Sequence, residues 1–166
     1  LFGEDGDDTM LGLNGNDVMD GGNGNDSMLG GDGDDVMNGG EDDDILNGGA
    51  GNDALDGDNG NDGLSGFTGN DFMLGDYGND TMYGGDGNDN MIGAAGADIV
   101  IGQGDDDFVK GNGGNDLLAG GSGFGADAGD TVVGNGVEPG RIAVARLNSE
   151  AGNVLSIGGI RRPHVL

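Results

Sequence analysis

The sequence predicts an all-β solenoid, because residues 3–119 consist of one nine-residue pattern repeated thirteen times without a break. Every copy has glycine at position one and aspartate at position six. A strict short period is typical of stacked repeats that bury a shared core. It also argues against the disorder that so much glycine and acid would otherwise indicate. The repeat is therefore the structural unit of this part of the chain.

Position eight is apolar in every copy and is predicted to form the core. All seven methionines of the chain occupy this position. Positions one to six have the glycine, asparagine and aspartate typical of turns, so positions seven to nine are predicted to form a short strand. Side chains alternate along a strand, so position eight faces one way and positions seven and nine the other. The predicted core residues are Met10, Met19, Met28, Met37, Leu46, Leu55, Leu64, Met73, Met82, Met91, Val100, Val109 and Leu118.

The charge of the chain indicates the kind of partner it attracts. The net charge is −27 over 166 residues, and all five Lys and Arg residues lie at or after Lys110. Such a surface repels nucleic acid and anionic membranes and attracts cations. The sequence has no cysteine and no apolar run of transmembrane length. Leu1 stands two residues before the first repeat, so we expect the chain to be a segment of a longer protein.

The aspartates at position six predict a series of calcium sites. Carboxylate and turn carbonyl oxygens are the ligands that calcium prefers. Zinc and copper are poor candidates, because the chain has no thiol and its single imidazole is that of His164. The candidate ligands are Asp8, Asp17, Asp26, Asp35, Asp44, Asp53, Asp62, Asp71, Asp80, Asp89, Asp98, Asp107 and Asp116.

Two other interpretations of these acidic residues are disfavoured. A solvated acidic face or a disordered tail would not require aspartate at one fixed position of every copy. An EF-hand loop requires alternating acidic ligands, a central glycine and a glutamate at its twelfth position, and no stretch of the sequence has that spacing.

The pattern G-G-x-G-x-D-x-U-x, in which U is a large apolar residue, resembles the RTX nonapeptide, the haemolysin-type calcium-binding repeat of exported bacterial proteins. The resemblance covers residues 3–119 and, more loosely, residues 125–133. It implies a right-handed parallel β-roll with two repeats per turn. Odd copies would then form one sheet and even copies the other.

The resemblance also implies where the ions lie. Each calcium is expected between two loops on the same edge, one turn apart. The lower loop gives the carbonyls of positions two and four with its Asp, and the upper loop gives those of positions one and three with its Asp. Seven of the aspartates fall on one edge and six on the other, so about eleven internal sites are expected at most. The implied backbone ligands include Gly6, Gly15, Gly24, Gly33, Gly51, Gly60, Gly69, Gly78, Gly87 and Gly96.

Three positions leave the ion count open. Asp42 and Asp105 replace the glycine of position four, so the loop geometry there is uncertain from sequence alone. After Ala119, residues 120–124 are interpreted as a five-residue insertion. Residues 125–133 then restore Asp130 and Val132 at positions six and eight. Whether the loops of these three aspartates hold ions is not decided by the sequence.

The last part of the chain is predicted to be distinct from the roll. We assign residues 1–133 to the roll and residues 134–166 to a C-terminal cap or the start of a further β segment, because composition changes at this point. Residues 141–147 and 153–157 are predicted strands. A cap is expected because solenoids need their ends covered.

Some outward positions are apolar and predict protein neighbours. The later copies have Phe72, Ile92 and Phe108 on one face of the roll, and Tyr83 and Ile101 on the other. Stacking would bring these side chains together into patches, and exposed apolar patches are typical of interaction surfaces.

The function predicted is calcium binding that drives folding of an exported protein. No G-x-S-x-G elbow, H-E-x-x-H motif or Cys/His pair is present, so this chain is not expected to be an enzyme by itself. The first hypothesis is a secreted, extracellular or cell-surface structural module that leaves the cell by type I secretion. The alternative is the C-terminal calcium-binding and secretion part of a secreted protease or lipase.

Overall fold

The computed structural model describes residues 1–121, 130–134 and 156–157. These residues form β-strands joined by short loops, and none of them is in a helix. Accordingly, no membrane-spanning helix is found in the described part of the chain. The strands are β1 (Phe2–Asp5), β2 (Thr9–Asn14), β3 (Val18–Asn23), β4 (Ser27–Asp32), β5 (Val36–Glu41), β6 (Ile45–Ala50), β7 (Ala54–Asn59), β8 (Gly63–Thr68), β9 (Phe72–Tyr77), β10 (Thr81–Asp86), β11 (Asn90–Ala95), β12 (Ile99–Gln103), β13 (Phe108–Gly113), β14 (Leu117–Gly121), β15 (Thr131–Gly134) and β16 (Ser156–Ile157).

The strands alternate between two parallel sheets, which confirms the predicted all-β solenoid. The first sheet has nine strands in the order β1-β3-β5-β7-β9-β11-β13-β15-β16, and the second has seven in the order β14-β12-β10-β8-β6-β4-β2. We call them sheet A and sheet B. Equivalent positions pair in register, as Met19 does with Met37 in sheet A and Met82 with Val100 in sheet B. Copies eighteen residues apart therefore stack, as the resemblance implied.

The core consists of the position-eight side chains of both sheets. All thirteen predicted residues are buried, from 8% exposed for Met10 to 0% for Met73, and Val132 joins them at 5%. Each strand from β2 to β15 contributes one large apolar side chain, so the core is thin. The prediction from sequence is confirmed at every position.

The strands are longer than predicted. Most have six residues, because positions one to three of the next copy continue the ladder begun by positions seven to nine. Gly22 pairs with Gly40 and Glu4 with Gly22, for example. The stacked neighbour adopts the same backbone conformation, so residues with turn propensity still find partners for their amides and carbonyls. The predicted six-residue turn was wrong, and the loop proper is reduced to positions four to six.

Positions two and four have positive φ in every copy. Position two is not glycine in eight of the thirteen copies, and the residues that replace glycine there are Glu4, Leu13, Asp58, Phe67, Asp76, Ala94, Gln103 and Asn112. At position four, Asp42 has φ 76° and Asp105 has φ 64°, in the same region of the Ramachandran plot as Asn112. Aspartate tolerates this conformation better than most residues. The two loops that the sequence left open therefore keep a positive φ at position four, at smaller angles than the 107–159° of the glycines in the other loops.

The roll continues across the break in the pattern. Strand β15 pairs with β13 in the regular register, Val109 opposite Val132, which confirms the predicted position of Val132. The predicted insertion at residues 120–124 was misplaced, because Gly120 lies in β14 and takes position one beside Asp130. The extra residues therefore fall within 122–129, outside the described residues.

The C-terminal segment is described only in part. The predicted strand at residues 141–147 lies outside the described residues. Of the predicted strand at 153–157, only Ser156 and Ile157 are described, and they form β16 beside β15. The end of sheet A is therefore extended by one short parallel strand.

Candidate calcium-binding loops

The position-six carboxylates form a ladder along each edge of the roll. The amide of Asp71 donates a 2.9 Å hydrogen bond to Oδ1 of Asp89, which lies one turn further along. The same bond joins every pair of position-six residues eighteen apart, from Asp8–Asp26 to Asp98–Asp116. One oxygen of each carboxylate is thereby fixed toward the preceding turn. The structure brings the predicted residues together in two rows, as expected.

The second carboxylate oxygen lies against the position-one glycine of its own copy. A Cβ on Gly57 would stand 2.5 Å from Oδ2 of Asp62 and 3.0 Å from the carbonyl oxygen of Gly75 in the next turn. Position one is glycine throughout because the aspartate carboxylate occupies this space in every copy. In ten of the thirteen copies a carbonyl oxygen from the turn above also lies within 3.0 Å of the same point.

Ten of these Oδ2 atoms are buried and have no hydrogen-bond partner in the protein. A buried carboxylate oxygen without a partner is costly, and an ion at this position would remove the cost. The donor set therefore fits a cation. The ten residues are Asp17, Asp26, Asp35, Asp44, Asp53, Asp62, Asp71, Asp80, Asp89 and Asp98.

Backbone carbonyls from both loops face the same gap between stacked turns. In the gap above Asp71, the position-two carbonyl of Phe67 points at Gly85 and the position-four carbonyl of Gly69 points at Gly87. The position-three carbonyl of Asp86 points back and accepts a 2.9 Å hydrogen bond from the amide of Gly69. These are carbonyls that the resemblance assigns as calcium ligands, and that role stays a prediction. The positive φ at positions two and four turns these carbonyls along the axis of the roll.

Each gap contains few charged side chains. No group of three or more His, Cys, Asp or Glu side chains that could hold a metal ion is found among the described residues. Two carboxylates face each gap, one from each loop. Calcium takes six to eight oxygen ligands, so an ion in the gap needs the carbonyls as well as the carboxylates.

Burial raises the pKa of these carboxyl groups. Loss of hydration raises the pKa of Asp62 to about 7 and that of Asp71 to about 6, and neighbouring position-six carboxylates add to the rise. The same cause raises the pKa to about 6 for Asp44, Asp53, Asp89 and Asp98. Residues 1–109 contain no Lys or Arg to offset these charges. A divalent cation in the gap would favour the ionised form.

Position five supports the loops and was missed in the sequence. Oδ1 of Asn61 accepts a 3.0 Å hydrogen bond from the amide of Asn79 in the next turn. This ladder runs opposite to that of position six, because its side chains reach up to the following turn. The signal was present, since position five is Asp or Asn in twelve of the thirteen copies and Ala97 is the exception.

The outward apolar residues lie in rows on the two sheets. Phe72 and Phe108 flank Asn90 on sheet A, and they are 45% and 37% exposed. Tyr83 and Ile101 are neighbours on sheet B, and Tyr83 is 39% exposed. Tyr83 and Ile101 therefore stack as predicted, whereas Asn90 separates Phe72 from Phe108 on sheet A. A protein neighbour on either sheet remains a prediction.

The fold and the loops define a class of protein, a parallel β-solenoid whose two edges are lined by buried aspartates and by carbonyls that face the stacked neighbouring turn. The family model of the RTX calcium-binding nonapeptide repeat matches four segments, residues 1–28, 29–64, 65–100 and 92–126. The chain belongs to the RTX calcium-binding repeat family. No curated protein matches the chain significantly.

Proposed function

We propose that this chain is a calcium-dependent folding module of an exported protein, in which calcium ions occupy the gaps between stacked loops. The observation that carries the proposal is the row of buried Oδ2 atoms with no hydrogen-bond partner. Family membership supports the choice of ion. Six gaps on one edge and five on the other give about eleven sites between the thirteen position-six residues.

The gap between Asp71 and Asp89 illustrates the proposed ligand set. The two carboxylates contribute Oδ2 of Asp71 and Oδ1 of Asp89. The carbonyls come from positions two and four of the lower loop and from positions one and three of the upper loop, that is from Phe67, Gly69, Gly84 and Asp86. Six oxygen atoms from both sides of one gap meet the lower limit of calcium coordination. Calcium supplies the charge that offsets the paired carboxylates.

Free calcium then decides whether the roll is stable. Extracellular calcium modules have Kd values of about 10⁻⁴–10⁻³ M. At free calcium about ten to one hundred times Kd, each site stabilises the folded chain by about 1.4–2.7 kcal/mol. At calcium far below Kd this contribution vanishes, and the desolvated carboxylates oppose folding. We therefore propose that the chain is expanded inside the cell and compact outside it.

The test is to follow the far-ultraviolet circular dichroism and the scattering radius of the chain during a calcium titration. We expect a cooperative gain of β-structure and a fall in radius, because neighbouring gaps share carboxylates. Magnesium is the control, since it prefers strict octahedral geometry and keeps its water. At pH 7.5, a compact, β-rich chain in excess chelator would refute the proposal, and equal folding by magnesium would refute the choice of calcium.

We further propose that the parent protein is structural or surface-associated and is exported by type I secretion. Thirteen copies in register and outward apolar residues such as Phe72 and Phe108 support a rod that contacts neighbouring proteins. The alternative is the calcium-binding part of a secreted protease or lipase. Antibodies against the roll distinguish the two. Labelling of intact producing cells supports the structural role, whereas a hydrolytic activity that co-purifies from the medium supports the alternative.

A further inference from the structure

We propose that the outer face of sheet B binds an arginine side chain of a partner protein, in a groove that crosses β8, β10 and β12. The groove is open to solvent and has a volume of about 480 Å³. Sites for ligands commonly have volumes of about 300–1,000 Å³. This inference deepens the proposed contact with neighbouring proteins, and it rests on the proposed folding of the roll with calcium.

A glycine lies at the centre of the groove. Gly85 pairs in register with Phe67 of β8 on one side and with Gln103 of β12 on the other, and all three residues line the groove. Neighbouring strands lie about 4.8 Å apart, so the backbones of Phe67 and Gln103 are separated by about 10 Å with no side chain between them. The missing side chain of Gly85 therefore leaves room for a ligand.

Two aromatic residues line the groove. Phe67 is 49% exposed, and Tyr83, two residues before Gly85 on the same strand, is 39% exposed. Phe67 has φ 75°, a conformation that is rare for a bulky residue, whereas Gly49 and Gly85 occupy this position in the turns on either side. Backbone strain of this kind is concentrated at functional sites. A large ring thus stands on the surface where glycine would suit the backbone better.

The charge of the groove favours a cation. Asp86 is exposed and is the only charged residue among the described residues that line it. Residues 1–109 contain no Lys or Arg, so none of these repeats supplies a basic side chain to neutralise this carboxylate. The negative field of the roll also raises the local concentration of cations. A cation in the groove gains from the aromatic rings and from the carboxylate.

Arginine fits these groups better than lysine does. Its guanidinium is planar and weakly hydrated, stacks on aromatic faces and is the commoner partner in cation–π contacts. It has five N–H donors. The groove offers four acceptors for them, which are the carboxylate of Asp86, the hydroxyls of Ser65 and Thr68 and the amide oxygen of Gln103. An arginine side chain therefore finds an aromatic contact and several acceptors in one place.

The roll contains a matched surface three turns earlier on the same sheet. It has the same backbone positions as Phe67, Tyr83 and Asp86 and the same carboxylate, but leucines replace the two rings. The corresponding residues are Leu13, Leu29 and Asp32. This surface separates the effect of the groove from that of the general negative charge.

The experiment titrates the isotope-labelled full chain with a short peptide that has one arginine between glycines and is blocked at both ends. Nuclear magnetic resonance shifts of the Gly85 amide give the dissociation constant at pH 7.5, saturating calcium and about 0.15 M salt. The control peptide has citrulline, the uncharged isostere of arginine. We expect saturable shifts with the arginine peptide and none with the citrulline peptide. Equal shifts with both peptides would overturn the inference.

Two variants test the residues of the groove. Tyr83→Ser removes one ring and repeats the residue that Ser65 provides opposite it, and Asp86→Asn removes the carboxylate. We expect each to weaken binding about two- to fivefold, as for an exposed cation–π contact or ion pair. The controls Leu29→Ser and Asp32→Asn should bind as the wild type does, because they lie about 14 Å away and salt screens charges beyond about 8 Å. Equal effects of a variant and its control would overturn the inference.

Circular dichroism of the same samples separates this inference from the proposed function. A chain that stays unfolded at saturating calcium would overturn both, whereas a folded chain that does not bind the arginine peptide would overturn this inference alone. Maltoheptaose is the probe for a neutral saccharide, which can also stack on aromatic rings. Binding of maltoheptaose that Tyr83→Ser abolishes and Asp86→Asn leaves intact would assign the groove to carbohydrate and overturn the inference.

Discussion

The amide of Asp53 donates a 2.8 Å hydrogen bond to Oδ1 of Asp71, whose own amide donates to Asp89 in the following turn. Oδ2 of Asp71 faces the gap above, beside the carbonyl of Gly84 at the position-one site of Gly66. One side chain is therefore shared between two gaps, and the consequences of its removal extend to three successive turns.

The first prediction compares Asp71→Asn with Asp76→Asn. Asp71 serves two proposed ions, whereas Asp76 occupies position two, where the side chain varies among copies. We expect Asp71→Asn to weaken two sites and to lower the stability of the calcium-bound chain by about 3–5 kcal/mol. Asp76→Asn keeps a residue that tolerates positive φ and should bind calcium as the wild type does. Calorimetric titration decides, and identical stoichiometry and affinity in the two variants would contradict the position-six assignment.

The second prediction concerns the glycine beneath a carboxylate. In Gly66→Ala the new methyl group would collide with Oδ2 of Asp71 and lie 2.7 Å from the carbonyl of Gly84. We expect a loss of about 1–3 kcal/mol in thermal unfolding with calcium, because a packed site must expand. Gly63→Ala is the matched control, since its Cβ would meet only the carbonyl of Asp44 at 3.9 Å. Equal melting temperatures for the two variants would show that the space at position one is not restricted.

The third prediction separates the core from the ions. Met73 is fully buried in the apolar core. Met73→Ala should lower the free energy of unfolding by about 2–5 kcal/mol, because it leaves a cavity. Calcium stoichiometry at saturation should not change, because no ligand is removed. Val36→Ala is the control, since Val36 is 51% exposed and Ala54 already occupies the equivalent position in the next strand. Denaturant unfolding at saturating calcium measures the stability of the two variants. Equal unfolding midpoints would refute the claim that burial of Met73 stabilises the roll.

The fourth prediction concerns pH without calcium. The pKa of Asp62 is raised to about 7 and that of Asp71 to about 6 in the folded chain, above the ordinary value of 3.8. The folded state therefore binds more protons than the unfolded state between these values. Stability of the metal-free roll should rise as pH falls from about 7 toward 4 and should be lost as pH rises through 6–7. Circular dichroism in chelator at pH 7.5 and pH 5 tests the sign, and a loss of β-structure at the lower pH would contradict it.

The same shifts predict how protons affect calcium binding. Below about pH 7 calcium must displace protons from carboxyl groups such as that of Asp62, so the calcium midpoint should increase as pH falls. Acid thus weakens calcium binding while it lessens repulsion in the metal-free chain. Calcium titrations at the two pH values separate these opposing effects, and an unchanged midpoint would show that the buried carboxyl groups do not titrate in this range.

Much of the fold was predictable because the strongest signals in the sequence are spaced by a fixed period. Position eight identified the core, from Met10 to Leu118, and position six identified the two rows of carboxylates. Position six is invariant and position eight is always apolar, because a buried carboxylate and a core side chain each face a fixed environment in every turn.

Other features were not predictable from one copy of the pattern. The six-residue strands depend on hydrogen bonds to a turn eighteen residues away, and a glycine-rich segment gives no local indication that it will pair. The place of Asp130 depends on the register of β15 against β13, which is a property of the stack. Phe67 at φ 75° shows that tertiary pairing overrides the local preference for glycine at position two.

Strand pairing in the roll joins each turn to the turns directly before and after it. Duplication of whole turns can therefore lengthen the molecule without changing the contacts within the existing turns. A gene duplication of eighteen residues would add one turn and leave both outer faces as they are. An insertion or deletion of nine residues would preserve the core but would move every later strand to the opposite sheet. If it occurred between Phe72 and Tyr83, Tyr83 would then lie on the same sheet as Phe72. Selection on the outer surfaces would then favour growth in whole turns, and the ten-residue step from Gly120 to Asp130 shows that the period can be interrupted while β15 keeps its register.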